Sequence, residues 1–139
     1  MPRVGEILGT WDCRVEAGKL REFARAVGDT SWRDDTVTAP PTFTVACSAE
    51  FVERLVTEIL PVDRSRTVHG SQSYEYLAPI RAGDRLHGEA RLLSDEIKTG
   101  RRGGTMRVIR VAIEYRNADT SAPVCREIMT TIETEAAGR

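Results

Sequence analysis

The stretch TFTVACSAEFVERLVTEIL, residues 42–60, decides the fold of this chain. Phe43, Ala46, Cys47, Phe51, Leu55, Val56 and Ile59 recur at near-helical spacing and predict one long helix. Val45, Ala49 and Val52 widen its apolar arc beyond a single stripe. A helix apolar round much of its circumference needs another element wrapped about it. Pro40-Pro41 set the approach to this helix and Pro61 stops it.

Outward from the helix, the pattern on the C-terminal side changes to strands at 67–77, 85–98, 105–117 and 124–133. Val108, Arg110, Ala112 and Glu114 alternate with Ile109, Val111, Ile113 and Tyr115, the period-two signature of half-buried strands. Turn residues at 82–84, 99–104 and 117–123 join them as successive hairpins, which implies an antiparallel sheet. Toward the N-terminus, residues 9–15 read as a short first strand. Leu20, Phe23, Ala24 and Val27 then form the stripe of a shorter helix that Gly28 ends. Residues 28–41 are polar and close on two prolines, so they read as a loop.

A sheet of about five strands has one face to cover, and a single apolar helix laid in its curve covers it. The expected architecture is therefore α+β, an antiparallel sheet wrapped around one long central helix: the hot-dog fold. It leaves an edge strand unpaired, which predicts a dimer with a second copy or a homologous partner.

The 139 residues fit one domain, residues 1–139, and 40% hydrophobic with 29% charged residues is an ordinary globular balance. A net charge of −1 provides no basic field for phosphate backbones or anionic lipid, so neither nucleic acid nor a membrane is an expected partner. The opening MPRVGEILGT lacks the apolar core of a signal peptide, and the expected location is cytoplasmic. Cys13, Cys47 and Cys125 are odd in number and lack a CxxC pair, which predicts reduced, mostly buried thiols and no disulfide framework. Two histidines exclude a multi-histidine metal site within one chain, and no cofactor is expected.

Three blocks carry a resemblance. Residues 23–29, FARAVGD, residues 39–43, APPTF, and residues 68–84, running from VHGSQSYEY to PIRAGD, resemble the MaoC-like (R)-enoyl thioester hydratases and dehydratases. More closely they resemble the FAS1-like, or MaoC N-terminal, dehydratase branch. The likeness covers nearly the whole chain, and it implies an acyl-CoA or acyl-carrier-protein thioester as substrate.

Active members of that family carry Gly-Asp-x-Asn-Pro-(aliphatic)-His, whose aspartate and histidine form the catalytic pair. Here Gly28 and Asp29 match and Thr30 fills the open position. Ser31-Trp32-Arg33-Asp34 stand where Asn-Pro-aliphatic-His would be, so the histidine is replaced by Asp34. Hydration of an enoyl thioester needs a group that takes and gives protons near neutrality, which imidazole does with a pKa of about 6.5 and an unshifted carboxylate does not. The stretch between Asp29 and Pro40 is also shorter than in catalytic members. The resemblance thus implies a subunit that shapes the acyl channel as a homodimer or beside a catalytic MaoC-like partner. Asp29 and Asp34 are the catalytic candidates if the chain is active alone. That alternative is a hot-dog enzyme using a carboxylate, such as a thioesterase or an enzyme adding a nucleophile to an enoyl thioester.

The same blocks name Pro41, Phe43 and His69 as substrate-binding candidates. Gln72, Tyr74 and Tyr76 share one strand face opposite Ser71, Ser73 and Glu75, which makes Gln72 and Tyr74 candidates too, against simple core packing. Arg101 and Arg102 sit on a hairpin tip, where guanidinium groups suit a CoA phosphate or an acidic carrier protein. His87 reads as a surface residue, and Gly83-Asp84 as a structural turn.

Overall fold

The structure, a computed structural model, describes residues 1–33 and 38–135. Its elements run β1 (Ile7–Arg14), α1 (Ala17–Ala26), a 3-10 turn (Thr30–Arg33), α2 (Val45–Arg54) prolonged by a π turn (Leu55–Ile59), a 3-10 turn (Arg64–Arg66), β2 (Thr67–Tyr76), β3 (Arg85–Thr99), β4 (Thr105–Asn117) and β5 (Pro123–Thr134). The strands form one five-stranded sheet in the order β1-β3-β4-β5-β2, every pair antiparallel. With α2 packed on one face, this is the hot-dog fold. The two sheet edges are β1 and β2.

The central helix is shorter than the periodicity suggests. Residues 41–44 form turns closed by i→i−3 bonds, Phe43 N–H to Pro40 O and Val45 N–H to Thr42 O, so the regular helix starts only at Val45. At the other end Pro61 supplies no N–H, and Leu60 N–H reaches back to Leu55 O at 2.7 Å, widening the last turn into a π turn. The sheet register follows the alternation read from sequence. On β4, Val111, Ile113 and Tyr115 face the helix side and are buried, while Arg110, Glu114 and Arg116 are exposed.

The helix divides its apolar residues between two tasks. Phe51 and Leu55 join Leu86, Leu92, Val111 and Ile113 in the core. Trp11 stacks on Phe51 with ring centroids 4.5 Å apart and meets Tyr115 edge-on at 5.9 Å. Two glycines admit these rings: a Cβ on Gly88, paired with Trp11, would lie 2.5 Å from the indole, and one on Gly9 would lie 2.8 Å from the Phe51 ring. Val45 is half exposed and lines a groove with Ala49 and Val56, while Val52 borders both the groove and the core.

The expectation of three reduced thiols is overturned. Cys13 on β1 and Cys47 on α2 are joined as a disulfide, with Cα atoms 5.5 Å apart, inside the usual span of such bridges. Packing of the helix on the sheet brings together residues 34 positions apart in sequence, a proximity that cysteine spacing does not reveal. Cys125 alone is a free, buried thiol. No helix among the described residues is long and apolar enough to cross a membrane.

Candidate functional site

The groove lies between α2 and strands β2, β4 and β5, with a volume of about 490 Å³. Its helix wall is Val45, Ser48, Ala49, Val52 and Val56. Its sheet wall carries His69, Gln72 and Tyr74 from β2, Ile113 from β4, and Glu127 and Met129 from β5. Glu53 and Arg64 also line it, bonded to each other at 2.7 Å and largely exposed. The result is an apolar channel crossed by one polar line.

That line runs His69, Gln72, Glu127. His69 Nε2 lies 3.0 Å from Gln72 Oε1, and since an amide oxygen can only accept, the imidazole donates. Gln72 Nε2 then donates to Glu127 Oε2 at 2.9 Å. Register puts Glu127 beside Tyr74 on β2 and Ile113 on β4, on the strand face that carries Cys125 and Met129 into the core. Glu127 is 1% exposed. Burial pushes its pKa up, against smaller downward pulls from the Thr44 hydroxyl and the Gln72 amide. Neither Glu127 Oε1 nor Thr44 Oγ1 completes a well-formed hydrogen bond. Burial likewise raises the pKa of Tyr74, Tyr76 and Tyr115, and carries the Cys125 thiol up to about 12. Tyr74 lines the groove beside Glu127, while Tyr115 and Cys125 lie in the core behind it.

Asp29 sits elsewhere. Gly28 takes a left-handed φ of 78° at the end of α1, where glycine carries no Cβ penalty, and Asp29 N–H closes on Ala24 O at 2.8 Å. Asp29 Oδ1 accepts both the backbone N–H and the hydroxyl of Ser31, at 2.9 and 2.6 Å. The hydroxyl first and the amide second lower its pKa. The carboxylate is thus ionised and committed to starting the 3-10 turn. Asp34, the other catalytic candidate, lies outside the described residues.

The substrate-binding candidates separate into groups. His69, Gln72 and Tyr74 meet in the groove. Pro41 lines a second hollow with Tyr76, whose hydroxyl donates to Pro41 O at 2.6 Å. Phe43 is a core residue, 2% exposed and edge-on to Phe23 at 5.5 Å. Arg101 and Arg102 are exposed at the β3–β4 hairpin tip. His87 bonds Asp12 across the β1–β3 pair at 2.9 Å, and in the Gly83-Asp84 turn Gly83 has φ 89° while Asp84 accepts Arg81 N–H. No cluster of three or more His, Cys, Asp or Glu side chains fit to hold a metal occurs among the described residues.

Sequence reasoning missed Glu127 and Thr44. The signal for Glu127 was present: it stands in phase between Cys125 and Met129, both buried. Thr44 gave none, because its burial depends on the turn that replaces the first helical residues.

The chain belongs to the FAS1-like dehydratase domain family, whose model matches residues 3–126. A UPF0336 protein from Saccharopolyspora erythraea is 37% identical over 119 residues, 77% of this chain and 72% of the relative. Against UPF0336 proteins from Streptomyces, the match spans about half the length of either chain. Among solved structures, a MaoC-like dehydratase superposes with a TM-score of 0.80 at 26% identity, covering 96% of this chain and 43% of the other. The truncated HadBC (3R-hydroxyacyl-ACP dehydratase) complex from Mycobacterium tuberculosis shares the fold, with a TM-score of 0.67 at 24% identity, covering 95% and 98%.

Proposed function

We propose that this chain binds the acyl group of an acyl-CoA or acyl-carrier-protein thioester in the groove between α2 and β2, and is the (R)-3-hydroxyacyl dehydratase or enoyl hydratase type of subunit that lacks a full Asp/His pair and works with a catalytic partner. One observation carries the reading: Asp29, the family's catalytic aspartate, spends its carboxylate on Ser31. No hydrogen bond joins it to either histidine. His69 is tied to Gln72 and His87 to Asp12, on strands at opposite sides of the sheet. A proton-transfer pair needs its members within hydrogen-bond reach, directly or through one water.

The apolar helix wall suits an alkyl chain, since burying each methylene is worth about 0.8 kcal/mol. Family membership and the similarity to a dehydratase complex support a thioester ligand and a paired assembly. The test is to purify the chain alone and together with a subunit bearing the intact Gly-Asp-x-Asn-Pro-x-His motif, and to measure acyl-CoA binding and crotonyl-CoA hydration. Binding without turnover by the chain alone, and turnover by the pair, is the expected result. Failure of acyl-CoA to bind in either state overturns it.

A further inference from the structure

We infer that Glu127 is a positioning residue that acts through the Gln72 amide to hold His69 as a hydrogen-bond acceptor at the groove rim, where its Nδ1 takes an amide N–H from the pantetheine arm of an acyl thioester. This rests on the reading that the groove holds such a thioester. The first observation is a bulge in the strand. His69 and Gln72 are three residues apart on β2, so strict alternation would put them on opposite faces of the sheet. The β2–β5 register shifts between His69, paired with Thr131, and Ser71, paired with Thr130, which leaves Gly70 as an extra residue without a partner in the register. The bulge brings the imidazole round to Gln72, and glycine suits it, since a Cβ on Gly70 would lie 2.8 Å from Ile132 Cδ1.

The second observation is the polarity of the hydrogen-bond line. Imidazole Nε2 can donate or accept, and an amide can be turned either way round, so His69 and Gln72 alone leave their bond undirected. Glu127 directs it. Its Oε2 accepts from Gln72 Nε2 at 2.9 Å, and with that donor in place it accepts in either protonation state, the proton of the acid form going to Oε1. The amide oxygen is thereby turned to His69, which donates from Nε2 at 3.0 Å. The neutral ring keeps an unprotonated Nδ1, which bonds to no described residue. An apolar residue at 127 would avoid the desolvation of a buried carboxyl but would leave the amide free to turn. Glu127 is buried, Gln72 half-buried and His69 exposed, so the line runs from the core to the rim. An acceptor there selects a donor. The carbonyl and sulfur of a thioester offer none, and the nearest donors beyond them are the amide N–H groups of the pantetheine arm.

The test is a double-mutant cycle read by calorimetric titration with octanoyl-CoA, joined to 15N NMR of the His69 ring. His69→Ala should weaken binding about tenfold, the loss of one hydrogen bond, and Glu127→Met should weaken it severalfold, with no further loss when Glu127→Met is added to His69→Ala. At about pH 8.5, where an imidazole is ordinarily neutral, wild-type His69 should carry its proton on Nε2, and octanoyl-CoA should shift the Nδ1 resonance while Nε2 stays protonated. Glu127→Met should let both tautomers appear. So should Glu127→Gln, an isosteric change whose amide accepts either orientation of Gln72, and it carries the cycle and the spectra if Glu127→Met does not fold. No loss from His69→Ala, an equal loss from the Glu127 variant with and without His69, a tautomer unchanged in that variant, or a proton on Nδ1 in the complex overturns the inference. In each of these cases octanoyl-CoA still binds the wild type and the groove reading stands. If octanoyl-CoA does not bind the folded wild type, the groove reading fails and the inference with it.

Discussion

Glu127 accepts the Gln72 amide across the β2–β5 pair at 2.9 Å, at a point where the neighbouring strand positions are buried and apolar. A carboxyl whose folded pKa is raised binds more protons folded than unfolded, so stability falls as pH rises from about 4.3 through the folded value. Urea melts across pH 4 to 8 should show the wild type losing this contribution as pH rises above about 4.3. Glu127→Gln, which has no proton to lose, should flatten the profile and be the more stable protein at pH 8. A Glu127→Gln profile that declines as the wild type does contradicts the assignment.

Asp29→Asn tests the capping turn with the opposite sign. Its folded pKa is lowered, so its contribution is complete above the ordinary aspartate value of about 3.9 and fades as pH falls through the folded one. The variant should melt at a slightly lower temperature at pH 7, lose that difference in acid, and bind acyl-CoA unchanged. Weakened binding at unaltered melting temperature would place Asp29 in the ligand site.

The cysteines give a chemical count. Under denaturing, non-reducing conditions one thiol, Cys125, should react, and all three should react after reduction. Cys47→Ser should lower stability by roughly 4 kcal/mol, the chain-entropy value for closing a loop of this length, in guanidinium melts without reductant. Three reactive thiols in the unreduced protein would contradict the bridge.

Gly88→Ala probes the seat of Trp11. The added Cβ would lie 2.5 Å from the indole, so the ring must leave its stack on Phe51. Overpacking of this kind costs about 1–3 kcal/mol, readable in the same melts. Unchanged stability would mean that the ring repacks freely.

These tests show which features the sequence carried. The element order, the antiparallel pairing and the helix-on-sheet layering were legible because period-two and helical apolar patterns arise directly from burial. The ends of α2 were not, since apolar spacing does not distinguish the i→i−3 turns at its start or the π turn before Pro61 from regular helix. The Cys13–Cys47 bridge and the buried Thr44 depend on how α2 sits on the sheet, which no local pattern encodes. Gln72 and Tyr74 were read correctly onto one strand face. Glu127, the residue they adjoin, was passed over because a lone glutamate in a strand ordinarily points to solvent.

The two free edges of the sheet, β1 and β2, bear on assembly. β2 flanks the groove, and its exposed Val68 lines it. Pairing there would extend the sheet and bring a second subunit to the groove wall. Sedimentation at micromolar concentration should show a dimer, and a stable folded monomer would count against it.

The central claim, a groove that holds an acyl thioester in a subunit without its own catalytic pair, is tested most directly by following hydration of crotonyl-CoA with the purified chain alone. The account predicts no rate above the uncatalysed background, with turnover restored on adding a subunit that carries the complete motif. Turnover by the lone chain that Asp29→Asn or Asp34→Ala abolishes without unfolding it would contradict the claim and make that carboxylate a working catalytic group.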